Sequence, residues 1–192
     1  MLSAGGLTLI LVASAAVSFG LLLLLHPVLR RHAIAHPNAR SSHKVPTPQG
    51  GGLAVVAATL GVVVASDLVD MPGLGGLSLW LILAATLFIA VVGALDDIHS
   101  IAVVPRLLLQ AVAVAIVLTA LPGDLHVVPS LPTWIERAFL GLALLWFVNL
   151  TNFMDGIDWM TVAEAVPIAA ALAIFGFAGA LPREATLVAL AL

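Results

Sequence analysis

Two acidic motifs stand out in a chain that carries almost no charge. One reads Gly93-Ala94-Leu95-Asp96-Asp97. The other reads Asn149-Leu150-Thr151-Asn152-Phe153-Met154-Asp155-Gly156-Ile157-Asp158. A carboxylate beside lipid is costly and needs a partner or a task. Asp96 and Asp97 end an apolar stretch. A helix C-terminus already carries partial negative charge, so each acid is unfavourable there by roughly 0.3–1 kcal/mol. Adjacent acids also resist joint ionisation. A divalent cation would reverse both penalties. Neighbours at i and i+1 point in different directions on a helix. The two Asp are therefore expected to divide the work, one facing a metal and the other a proton or a group around the metal. The plain alternative is a pair of solvated loop acids.

Asp155 and Asp158 stand at i and i+3 and share a face if the next helix starts there. Asp155 is otherwise a simple N-cap. The amides of Asn149 and Asn152 suit a sugar, a base or a backbone group. Hard oxygen donors, few in number and near a basic loop, fit Mg²⁺ held together with substrate phosphates, with Mn²⁺ as the substitute cation. Four acids exceed what Mg²⁺ requires, so some have other duties.

The elements that must position these residues are membrane helices. Of 192 residues, 62% are hydrophobic and 9% charged, with a mean hydropathy of +1.20. A soluble domain of this size needs more charge to cover its surface. The chain has no Cys, which removes disulfides and thiolate metal sites. A net charge of -3 selects no partner class, and nothing points to nucleic acid. The first apolar run, from Leu7 to Leu25, is too long for a cleavable leader and lacks a basic start. It matches the ~20 residues that a spanning helix needs. The pattern predicts an all-α polytopic bundle in one integral membrane domain. Its spans are placed near Leu7–Leu29, Gly51–Ser66, Leu77–Leu95, Val103–Leu121, Thr133–Leu150 and Met160–Leu181, with a seventh beginning at Ala185. The short fourth span is expected to use Arg106 as a snorkelling anchor. The chain stops inside an apolar run, Ala185-Thr186-Leu187-Val188-Ala189-Leu190-Ala191-Leu192, which reads as a C-terminal truncation.

Between the first two spans lies the loop His36-Pro37-Asn38-Ala39-Arg40-Ser41-Ser42-His43-Lys44-Val45-Pro46-Thr47-Pro48-Gln49-Gly50-Gly51-Gly52. Pro46 and Pro48 stiffen it, and the glycines allow close backbone approach at the mouth of the second span. Arg40, His43 and Lys44 suit an anionic head group. They also suit a loop that simply obeys the positive-inside rule.

Taken together, these motifs resemble the polyprenyl-phosphate N-acetylhexosamine-1-phosphate transferases. That family includes the enzymes that initiate O-antigen and enterobacterial common antigen synthesis and the phospho-MurNAc-pentapeptide translocase. The loop is similar to the family's Pro-Asn-x-Arg-Ser-Ser-His-x-x-Pro-Thr-Pro-x-Gly-Gly-Gly signature, closest to the O-antigen branch, and the two acidic motifs follow in order. The resemblance implies transfer of a sugar-1-phosphate from a UDP-N-acetylhexosamine to undecaprenyl phosphate with release of UMP, in the bacterial inner membrane, with a homodimer as a candidate assembly. It implies Asp155 as the metal ligand. Asp96 would accept the lipid-phosphate proton or orient that nucleophile. Asp97 and Asp158 would contact the metal's surroundings or the substrate, and Arg40, His43 and Lys44 would hold phosphate. The chain departs from the pattern at His36, Gln49 and Trp159, where the family has Asp, Arg and Gly. Family members are also longer, with a late His- and Arg-containing cytoplasmic loop that has no counterpart here. A non-catalytic remnant or partner subunit is the alternative reading. An ion-coupled transporter is weaker, because its acids would lie near mid-membrane.

Arg30, Arg31, Arg40 and Lys44 fall in the first loop and Arg106 just past the third span, whereas Arg137 and Arg183 fall on the other side. This asymmetry places the N-terminus outside and the acidic motifs in the cytoplasm. A cysteine replacing Ser42 should therefore be labelled by an impermeant reagent only from the cytoplasmic side, and one replacing Gly123 only from outside. Reversed labelling would overturn the orientation.

Overall fold

The computed structural model describes residues 4–32, 34–35, 46–48, 50–70, 76–154 and 160–180. Its elements run α1 (Ala4–His32), β1 (Ile34–Ala35), β2 (Thr47–Pro48), α2 (Gly52–Asp70), α3 (Gly76–His99), α4 (Val103–Ala120), α5 (Thr133–Met154) and α6 (Met160–Phe177). The six expected spans are all helical. Among the described residues, five helices are long and apolar enough to cross a membrane, and Gly52–Ser66 of α2 forms a shorter apolar segment. The protein is a multi-pass helical membrane protein. Side chains such as Leu24, Trp134, Trp146, Phe139 and Phe153 face outward. That is the inverse of a soluble surface and fits lipid as the solvent. The seventh span expected from Ala185 lies outside the described residues.

The chain divides into two compact units, Met1–Gly75 with Gly156–Leu192, and Gly76–Asp155. In the first, α1 packs on α2. Ala54 and Ala58 are completely buried, and their spacing of four puts two small side chains on one face, where helices approach closely. Gly50 has φ +85°, a conformation that glycine adopts without penalty. A Cβ there would meet Leu29 Cδ2 at 3.1 Å. The amides of Leu53 and Ala54 donate to the Gly50 and Gly51 carbonyls and start α2. Ile34 pairs with Pro48 and Ala35 with Thr47 in an antiparallel ribbon.

In the second unit, α4 lies between α3 and α5 and packs on both. The α4–α5 register can be read from two contacts. A Cβ on Gly141 would sit 3.1 Å from Leu118 Cδ1 and 3.9 Å from Val114 Cγ1, and Asn149 Nδ2 donates to Gln110 Oε1 at 2.9 Å. Eight residues forward on α5 correspond to eight back on α4, as in an antiparallel pair. Hydroxyls that would otherwise meet lipid bond their own helix: Thr86 to the Ile82 carbonyl, Thr119 to Ile116 and Thr151 to Phe147.

The end of α4 and the start of α5 are tied by Glu136, which is 3% exposed. Its Oε1 accepts the amides of Val127 and of Val128, the latter at 2.9 Å. Its Oε2 lies 2.7 Å from His126 Nδ1. Arg137 Nη2 donates to the Pro122 carbonyl at 2.5 Å. A buried acid is thus satisfied by the loop that it orders.

Because a Cβ on Gly141 would already crowd Leu118, Gly141→Leu should overpack the contact and destabilise the protein by about 1–3 kcal/mol. Gly20→Leu, at a position with no neighbour within 4 Å, should leave stability nearly unchanged. Thermal unfolding in detergent distinguishes these outcomes, and equal effects would contradict the packing.

Candidate active site

The acidic pair sits at the last turn of α3. Pro105 lies within the first turn of α4, where its missing N–H interrupts no helical bond. The connection is short because α3 stops sharply. Ser100 has φ +46°, the left-handed conformation that commonly ends helices. Its amide still donates to the Asp96 carbonyl at 2.8 Å.

Asp96 then turns its side chain inward over this connection. Oδ1 accepts the Ile101 amide at 2.7 Å, and Oδ2 accepts Arg106 Nη1 at 2.8 Å. Both groups of the ion pair are largely buried, with the Arg106 and Asp96 side chains 26% and 17% exposed. Arg106 was expected to reach toward the lipid–water boundary. Instead it is claimed by Asp96, because a paired guanidinium avoids the desolvation cost of a lone one. Its Nε is buried with no hydrogen-bond partner among the described residues. The neighbouring acids differ in exposure: Asp96 faces the α3–α4 connection and Asp97 is exposed.

One turn further along α4, Gln110 is buried and accepts from Asn149. Arg106 and Gln110, at i and i+4, share a face of α4. They form two polar rungs, one to α3 and one to α5. The α4–α5 register, continued by four residues, sets Phe153 level with Arg106. The end of α5 therefore reaches the level of the acidic pair. Asn149 Nδ2 also donates to the Leu145 carbonyl at 2.8 Å, so both of its N–H groups are engaged within the bundle. Asn152 is exposed. Asp155, Asp158, Arg40, His43 and Lys44 lie outside the described residues, as do His36, Gln49 and Trp159.

Among the described residues, no three His, Asp or Glu side chains gather into a metal-holding cluster. Both oxygens of Asp96 accept protein hydrogen bonds, and the Asp97 side chain is exposed. The sequence pattern gives Gln110 and Glu136 no role, and Arg106 only that of an anchor. Their signal was available: ionisable and amide groups are rare in spans and rarely unpaired there.

If the Asp96–Arg106 pair holds the α3–α4 connection, single Asp96→Ala and Arg106→Ala substitutions should each destabilise the protein. The double variant should be less destabilised than their sum, with a coupling of about 1–3 kcal/mol. Additive effects in a detergent unfolding cycle would show that the pair is not a structural clamp.

A search of curated proteins gave no match. The family model described as glycosyl transferase family 4 matches residues 79–192, more than half of the chain. That range contains the α3–α4 connection, Asp96 and Asp97, the end of α5 and the Asp155–Asp158 motif. The basic loop from His36 to Gly52 precedes it. The chain therefore belongs to glycosyl transferase family 4, the polyprenyl-phosphate hexosamine-1-phosphate transferases.

Proposed function

We propose that the protein transfers an N-acetylhexosamine-1-phosphate from a UDP-sugar to undecaprenyl phosphate on the cytoplasmic face of the bacterial inner membrane, initiating an envelope polysaccharide. A phosphate oxygen of the lipid attacks the β-phosphorus of the donor. A new P–O–P linkage forms, the original pyrophosphate bond breaks, and UMP leaves. The observation that carries this reading is the placement of the acidic pair in the last turn of a membrane helix. A carboxylate presented there can meet both a lipid head group and a soluble nucleotide. A transporter reading would need its acids near mid-membrane.

The residues divide as follows. Asp96, held by Arg106 and the Ile101 amide, acts as a positioning residue that orients the nucleophile through the α3–α4 connection. Asp97 is the member of the pair that faces substrate. Asp155 would hold Mg²⁺, with Asp97 and Asp158 around it. When bound, that cation supplies charge neutralisation to the pyrophosphate and the departing UMP. Arg40, His43 and Lys44 hold phosphate oxygens, and Asn152 contacts the donor. Asn149, engaged with Gln110, shapes the end of α5. Phosphoryl transfer relies on such positioning more than on covalent steps by the protein.

The test uses protein expressed from its full reading frame, supplied with undecaprenyl phosphate and a UDP-N-acetylhexosamine. Asp155→Asn and Asp97→Asn keep shape and remove charge. Each should lower UMP release by about 100-fold or more, the scale seen when a group that stabilises developing charge is removed. EDTA should abolish turnover, and added Mg²⁺ should restore it. Full turnover in the variants or in EDTA would refute the assignment.

A further inference from the structure

A second site of interest lies within the first unit. A cavity of about 330 Å³ opens between the end of α1 and the β1–β2 ribbon, lined by His26, Arg30, Ile34, Pro46 and Pro48. Its two sides differ in chemistry. His26 and Arg30, at i and i+4, lie on one face of α1 with their Cβ atoms about 5–6 Å apart. Ile34 and Pro48 are partners across the ribbon, so they present their side chains on the same side of it. With Pro46 they make an apolar wall opposite the cations.

The counter-charge is missing from this segment. No Asp or Glu occurs before Asp67, at the far end of α2, so the first 66 residues contain cations and no carboxylate. Among the described residues, no acidic side chain pairs with His26 or Arg30. Basic pockets at the membrane boundary are the usual seats of anionic lipid head groups, and the volume suits a small polar head.

We propose that this cavity binds the phosphate head group of an anionic membrane phospholipid. Arg30 and His26 contact the phosphate oxygens, and the Ile34–Pro46–Pro48 wall covers the glycerol. It is read by lipid retention rather than by UMP release, so its failure and that of the proposed reaction are distinguishable. The apolar wall favours a lipid over free phosphate.

The experiment is native mass spectrometry of the intact chain in detergent, titrated with phosphatidylglycerol, with phosphatidylcholine, or with inorganic phosphate. The expected result is retention of one phosphatidylglycerol at a concentration at least ten-fold below that needed for phosphatidylcholine. Arg30→Gln and His26→Gln should each reduce that preference several-fold, and Arg30→Lys should retain most of it. Arg31→Gln removes the same charge one residue away, outside the cavity lining, and should leave the preference intact. Circular dichroism checks that each variant keeps its helices. Equal losses from Arg30→Gln and Arg31→Gln would show diffuse attraction to a basic helix end and overturn the site. So would the absence of a head-group preference, or binding of inorganic phosphate as tightly as the lipid.

Discussion

A polar group surrounded by lipid has to find its partner inside the protein. That constraint organises the whole chain. It makes every long segment a helix, since only a helix satisfies its own backbone in that solvent. It then acts on side chains. The few ionisable and amide groups in or near the spans of the second unit are drawn together: Asp96 to Arg106, Asn149 to Gln110, Glu136 to His126 and the loop amides. Each contact fastens one element to the next, and together they fix the α3–α4–α5 arrangement from both ends.

The Asp96–Arg106 pair has the largest functional consequence. A helix that ends in two acids has two ways to reduce their repulsion: recruit a cation from solution or recruit one from the protein. Here Arg106 serves one acid. With Asp96 held on both oxygens, the backbone of the connection is set, and Asp97 follows it in the same turn with an exposed side chain.

The opposite end of the second unit is built with equal care and no evident reactant. Glu136 lies in the first turn of α5, where a helix favours negative charge, and it gathers His126 and two loop amides. Arg137 fastens the same loop through the Pro122 carbonyl. This end sets the spacing of α4 and α5. The packing of Gly141 against Leu118 then carries that spacing toward the acidic pair.

The length and position of the helices were legible in the residues alone, because an apolar run must be helical in lipid whatever it packs against. The span expected at Val103–Leu121 is the helix Val103–Ala120, and the one expected at Thr133–Leu150 continues to Met154, since backbone bonding outlasts hydropathy by a turn. The family, too, was legible, carried by motifs whose residue types and order are dictated by the chemistry. Pairing was not. Arg106 reads as a snorkelling anchor while its neighbours in space are unknown, and the Asn149 amide suits a sugar, a base or a backbone group alike. Which of two adjacent acids is locked depends on a loop geometry, Ser100 in the left-handed region and Ile101 turned toward Asp96, that no spacing rule contains. Composition sets how many polar groups must be satisfied. Only the tertiary structure decides which partner satisfies each, because partners on different helices meet through packing and not through sequence distance.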